Sequence, residues 1–92
     1  MPRTAILLLL VSTALAQAPA PRAYEALRAR DWDAAIALFR EAITAAPASA
    51  GLRKDLGYAL LQTGDTEAAR DQFAEALRLD PSDERIALEF AF

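Results

Sequence analysis

The chain repeats itself at a fixed period, and this regularity limits its possible folds more than any other feature. A shift of 34 superimposes identical residues that are not alanine: Tyr24 on Tyr58, Leu27 on Leu61, Asp31 on Asp65, Phe39 on Phe73 and Pro47 on Pro81. A fixed period of this length is typical of stacked supersecondary units that bury their apolar faces against one another. The sequence therefore predicts a solenoid rather than a compact fold with a single central core.

Each period divides into two helices. Asp31 and Asp65 stand where the N-cap of a second helix is needed, because a carboxylate there satisfies free backbone N–H groups. Pro47 and Pro81 end those helices, since proline has no N–H and clashes with the preceding turn. Alanine is the commonest residue and the chain has only 3 glycines and 5 prolines, a composition that favours helix. The pattern predicts five helices, over residues 22–29, 32–46, 50–62, 66–79 and 83–92.

Two serines and two glycines refine this prediction. Ser49 and Ser82 are expected to cap the third and fifth helices. Gly57 is expected to let a neighbouring helix approach closely, because it has no side chain. Gly64 is expected to end the third helix in a left-handed conformation.

The segment over residues 1–16 is typical of a secretory signal peptide. A positive start at Arg3 precedes an apolar run over residues 5–16, and small residues stand just before Gln17. This run is shorter than the roughly 20 residues needed to span a bilayer, so we expect cleavage before Gln17 rather than a membrane anchor. This predicts export, to the periplasm or to the outside of a bacterial cell.

The exported chain is expected to begin with a Pro/Ala leader at 17–21, extended because proline disfavours helix in the residue before it. The helical repeat domain then covers residues 22–92. Solenoid ends normally carry polar caps, whereas this sequence stops at an apolar segment, residues 90–92. We therefore expect it to be the N-terminal part of a longer protein. A complete short protein that pairs its open C-terminal end with a second copy is the alternative.

Composition argues against most chemistry. The chain has no His and no Cys, which removes imidazole bases, thiol nucleophiles, disulfides and the commonest zinc ligands. Its net charge of -3 argues against nucleic acid as a partner. Asp31 and Asp33 flank Trp32, an arrangement that could serve as a catalytic acid pair beside an aromatic ring that stacks on a sugar. The same spacing of acids recurs at Asp65 and Glu67 without an aromatic residue, which favours helix capping over catalysis. We expect no enzymatic activity, no metal site and no cofactor.

The order of small, aromatic and proline positions in each period resembles the tetratricopeptide repeat. The second period carries Leu56, Gly57, Leu60, Ala69, Phe73, Ala76 and Pro81, and the first carries Ala35, Phe39, Ala42 and Pro47. The first repeat departs from the pattern, since Arg22 stands where the second has Leu56. The resemblance implies an all-α fold: a right-handed α-solenoid of antiparallel helix pairs, with about two repeats plus the first helix of a third.

The resemblance also implies a role in binding proteins or peptides. In such proteins the first helices of successive repeats line a concave groove that holds partner segments. The groove candidates on those helices are Tyr24, Leu27, Lys54, Tyr58, Leu61 and Phe92. The three aromatic residues fall at matching places and form either a column along the groove or part of the core, and the sequence leaves both readings open.

Three functions are compatible with these features. The preferred one is an exported interaction scaffold that binds partners in its groove. The others are the N-terminal periplasmic stalk of a larger envelope or polysaccharide-export protein, and the accessory repeat part of a multidomain enzyme. We expect protein or peptide partners for this chain and no stable membrane span in it once the signal peptide is removed.

Overall fold

The structure, a computed structural model, describes residues 18–91, with side chains as far as residue 88. Its five helices are α1 Pro19–Arg28, α2 Trp32–Ala45, α3 Ala50–Gln62, α4 Thr66–Leu79 and α5 Glu84–Ala91. The described part contains no strand, and none of its helices is both long and apolar enough to cross a bilayer. The predicted signal peptide and Phe92 lie outside the described residues.

Each helix packs mainly on the next one in the chain. Contacts are most extensive between α1 and α2 and between α3 and α4, which form two helix pairs. The packing of α2 on α3 joins the pairs, and α5 packs on α4 as the first helix of a third unit. This arrangement confirms the predicted all-α solenoid of helix pairs.

The core alternates large rings with small side chains. Phe39 and Phe73 are completely buried. A Cβ atom added to Gly57 would lie 2.6 Å from the nearest ring carbon of Phe73, so α3 comes this close to α4 only because position 57 has no side chain. Buried alanines occupy corresponding places on α2 and α4: Ala35, Ala42, Ala69 and Ala76. The predicted role of Gly57 is confirmed.

Three of the four predicted helix caps are confirmed. Asp31 and Asp65 accept hydrogen bonds from backbone N–H groups three residues later, and the Ser49 hydroxyl accepts the N–H of Leu52 at 3.2 Å. The prediction for Ser82 is wrong. Its hydroxyl donates to Asp80, and the cap of α5 is the Asp83 carboxylate.

The prediction of an extended leader is wrong for residues 19–21, because α1 begins at Pro19. Backbone N–H groups in the first turn of a helix have no partner within the helix, so the missing N–H groups of Pro19 and Pro21 cost no helical hydrogen bond there. Proline also has a φ angle that suits the start of a helix. Ala20 uses this extra turn to pack against the core.

The turns between paired helices are alike in shape but differ in the residue at the left-handed position. Gly64 has φ 81°, as predicted, and Arg30 takes the equivalent place with φ 58°. Backbone bonds close both turns, from the N–H of Asp31 to the carbonyl of Ala26 and from the N–H of Asp65 to that of Leu60. The first turn therefore places a bulky residue in a conformation that favours glycine.

Candidate functional site

The first helices of three successive units meet at a cavity of about 360 Å³. It is lined by Leu27 from α1, Lys54, Asp55 and Tyr58 from α3, and Arg85 from α5. Three of the predicted groove residues, Leu27, Lys54 and Tyr58, are therefore brought together. We call this surface the first-helix groove.

Among the described residues, Tyr58 is the aromatic side chain that this groove exposes. Its ring packs edge-on against Trp32 of α2, with ring centroids 6.0 Å apart, yet 41% of the residue stays accessible. Leu88 is 73% exposed and lies on the same side of α5 as Arg85, three residues earlier. Tyr58 and Leu88 are the exposed large hydrophobic residues of the described chain, and both belong to helices that form the groove.

Tyr24 stands at the matching place on α1 but is more enclosed. Its ring meets Phe39 edge-on at a centroid distance of 5.2 Å, and its hydroxyl donates a 2.7 Å hydrogen bond to the Asp55 carboxylate. Burial, the hydrogen bond and the negative charge of Asp55 together raise the pKa of Tyr24 well above its usual value of 10.0. Tyr24 thus links α1 to α3 and packs on the core.

Lys54 has a partner within the chain. Its Nζ atom lies 3.6 Å from the Asp83 carboxylate, and both side chains are about four-fifths covered. Burial alone raises the pKa of Asp83, but the N–H groups of Ile86 and Arg85 and the charge of Lys54 outweigh it and lower that pKa. Asp83 therefore stays ionised, and its ion pair with Lys54 ties α3 to the start of α5.

The remaining predicted residues lie elsewhere. Leu61 is half-buried against the core and does not line the cavity, and Phe92 is outside the described residues. Sequence reasoning did not place Asp55 or Arg85 among the site residues. The repeat pattern does not indicate a role for Arg85, because the equivalent position in the preceding repeat is Gly51.

Comparison with known proteins agrees with this architecture. A family model described as tetratricopeptide repeat matches residues 20–84, which covers both helix pairs and the start of α5. No curated protein and no solved structure gives a significant match. Because the match extends over more than half of the sequence, the chain belongs to the tetratricopeptide repeat family.

Proposed function

We propose that this chain is an exported interaction module that holds a segment of a partner protein in the first-helix groove. Tetratricopeptide repeats generally mediate protein–protein interaction, and domains built from them are typically non-catalytic scaffolds. The proposal assigns that general role to one surface of this chain.

The observation that carries the proposal is the placement of exposed apolar side chains. Single exposed hydrophobic residues are common on soluble proteins. Here Tyr58 and Leu88 both lie on helices that form one groove, and Leu27 adds apolar surface from α1. Aromatic residues of this kind supply large contact areas at low entropic cost when a partner binds.

Two charged side chains of the groove, those of Asp55 and Lys54, are held by partners within the chain. Asp55 accepts a hydrogen bond from Tyr24, and Lys54 is paired with Asp83. A side chain held in place before binding loses little conformational freedom when the partner arrives. This arrangement supports a groove that is formed in the free protein.

The test is a comparative capture experiment. The immobilised chain is exposed to an envelope extract of the host, and captured proteins are quantified by mass spectrometry. Truncation of a central contact residue lowers the binding free energy by at least about 1.4 kcal/mol, so Tyr58→Ala is expected to reduce specific capture of the partner about tenfold or more. Leu88→Ser is expected to act in the same direction.

Ala74→Ser is the matched control, because Ala74 is exposed on α4, away from the residues that line the groove. Circular dichroism melts of each variant separate loss of binding from loss of fold. Unchanged capture by Tyr58→Ala and by Leu88→Ser, with all variants folded, would contradict the proposal.

Export is the second part of the proposal and depends on residues 1–16. Mass spectrometry of the protein purified from its host is expected to give an N-terminus at Gln17. Recovery of the chain in the cytoplasmic fraction with residues 1–16 retained would overturn this part without affecting the groove.

A further inference from the structure

A second cavity, of about 230 Å³, lies at the junction of the two helix pairs. Its lining residues are Arg40 and Ile43 on α2, Arg53 and Leu56 on α3, and Gln72 on α4. By helical spacing, the two residues from α3 lie on the opposite side of that helix from its groove residues. The cavity is therefore separate from the first-helix groove.

The Arg53 guanidinium is held in a fixed orientation in this cavity. Its Nε and Nη2 atoms each donate to the carbonyl of Pro47 at 3.1 Å, and Nη1 donates to Oε1 of Gln72 at 3.3 Å. A guanidinium has five N–H donors, so two remain after these three bonds. The Gln72 amide accepts with its oxygen, and its nitrogen has no acceptor among the described residues.

Arg40 adds a second cation at the rim. It is exposed, and its guanidinium has no partner within residues 18–88. Among the described residues, none that lines the cavity is acidic, although the whole chain has a net charge of -3. Glu75 is close enough for Arg53 to contribute to lowering its pKa, but its hydrogen bond to Arg78 is the main cause.

Packing between repeats does not require these cations. The residues one period after Arg40 and Arg53 are Ala74 and Ala87, and both are exposed. In contrast, the apolar residue Ile43 is matched by Leu77. In the next repeat the apolar position is therefore kept, whereas alanine stands in place of each arginine.

From this combination we propose that the second cavity binds an oxyanion, a phosphate or carboxylate group. Its unused polar groups are donors, two of its side chains are positively charged, and one guanidinium is already oriented. Planar guanidinium groups bind oxyanions with paired, charge-assisted hydrogen bonds. The apolar floor formed by Ile43 and Leu56 presents no competing acceptor.

The test is a titration of the chain with inorganic phosphate and, separately, with acetate at constant ionic strength. Binding is followed by the NMR signal of the Arg53 Nε–H, which the bond to Pro47 shields from exchange. A saturable shift is expected, and Arg40→Gln is expected to raise the phosphate Kd about tenfold. Arg28→Gln removes the same charge from α1, outside the cavity, and is expected to leave the Kd unchanged.

The two ligands distinguish the source of the oxyanion. Phosphate bound at least about tenfold more tightly than acetate assigns the site to phosphate or its esters, and comparable binding assigns it to carboxylate side chains. Shifts that do not saturate, or equal Kd values in Arg40→Gln and Arg28→Gln, would overturn the proposal. Arg40 is exposed, so its replacement is not expected to prevent folding, and circular dichroism checks this.

Discussion

Tyr24 and Tyr58 occupy the same position in successive repeats but have different surroundings. Tyr24 packs against the Phe39 ring, and its hydroxyl donates a hydrogen bond to Asp55. Tyr58 forms a T-shaped contact with Trp32 and keeps 41% of its surface exposed. The repeat determines where a side chain stands along the solenoid, and its neighbours determine whether that side chain supports the fold or stays free for a partner.

The residues just before the two tyrosines are also equivalent in the repeat but have different surroundings. Gly57 precedes Tyr58, and the Phe73 ring lies directly over it, whereas Ala23 precedes Tyr24. The two helix pairs therefore have different tolerances for substitution at equivalent positions. The predictions below test these differences in order of decreasing effect.

Gly57→Ala is expected to give the largest loss of stability. The new methyl group would lie 2.6 Å from the Phe73 ring, and overpacking of this kind costs about 1–3 kcal/mol of unfolding free energy. Urea denaturation measures the change. Gly51→Ala is the matched control, since a Cβ there meets nothing within 4 Å and is expected to stabilise α3 by up to about 1 kcal/mol. Equal effects of the two substitutions would contradict the close packing of α3 on α4.

Tyr24→Phe is expected to lower the unfolding free energy by about 1 kcal/mol, because it removes the hydrogen bond to Asp55. Tyr58→Phe is expected to change it by less than about 0.5 kcal/mol, as is usual for exposed positions. Chemical denaturation at neutral pH compares the two variants. A loss in Tyr58→Phe as large as that in Tyr24→Phe would remove the distinction between the tyrosines.

The same hydrogen bond predicts a dependence on alkaline pH. Folding raises the pKa of Tyr24 above 10.0, so its contribution to stability is fully present below pH 10 and is lost as the pH rises towards the pKa of the folded state. The advantage of the wild type over Tyr24→Phe should therefore shrink above pH 10. Denaturation curves between about pH 8 and about pH 11 measure it. A constant difference over that range would show that Tyr24 titrates alike in the folded and unfolded chain.

The turn residues are expected to change the unfolding free energy by about 1 kcal/mol or less, with opposite signs. Arg30→Gly should stabilise the chain by about 0.5 kcal/mol, because glycine adopts a positive φ without steric strain. Gly64→Ala should destabilise it by about 1 kcal/mol for the converse reason. Thermal melts monitored by circular dichroism show both changes. Stabilisation by Gly64→Ala would contradict the left-handed geometry of the second turn.

Much of the fold follows from the sequence, because caps, prolines and the period act locally. Asp31, Asp65 and Ser49 bind the N–H groups that their positions predicted. The period identifies the cap of α5 better than residue type does, since Asp83 and not Ser82 takes the position equivalent to Ser49 in the next repeat. The start of α1 does not follow from the rule that proline disfavours helix, because the first turn of a helix accepts proline.

The candidate site was harder to predict, because it depends on contacts between helices. The sequence left open whether Tyr24 and Tyr58 line the groove or belong to the core, and in the structure each ring pairs with a ring on α2. Whether Asp55 and Lys54 are free depends on Tyr24 and Asp83, residues from other parts of the chain. A periodic pattern identifies equivalent positions and does not reveal such partners.

Site-specific photo-crosslinking tests the central claim, that Tyr58 belongs to a protein-binding surface, most directly. A photoreactive phenylalanine analogue is introduced at position 58 in one chain and at exposed position 74 on α4 in another, and both are irradiated in the native host. The account predicts a discrete crosslinked protein from position 58 that is absent from position 74. Crosslinking of the same proteins from both positions, or from position 74 alone, would contradict it.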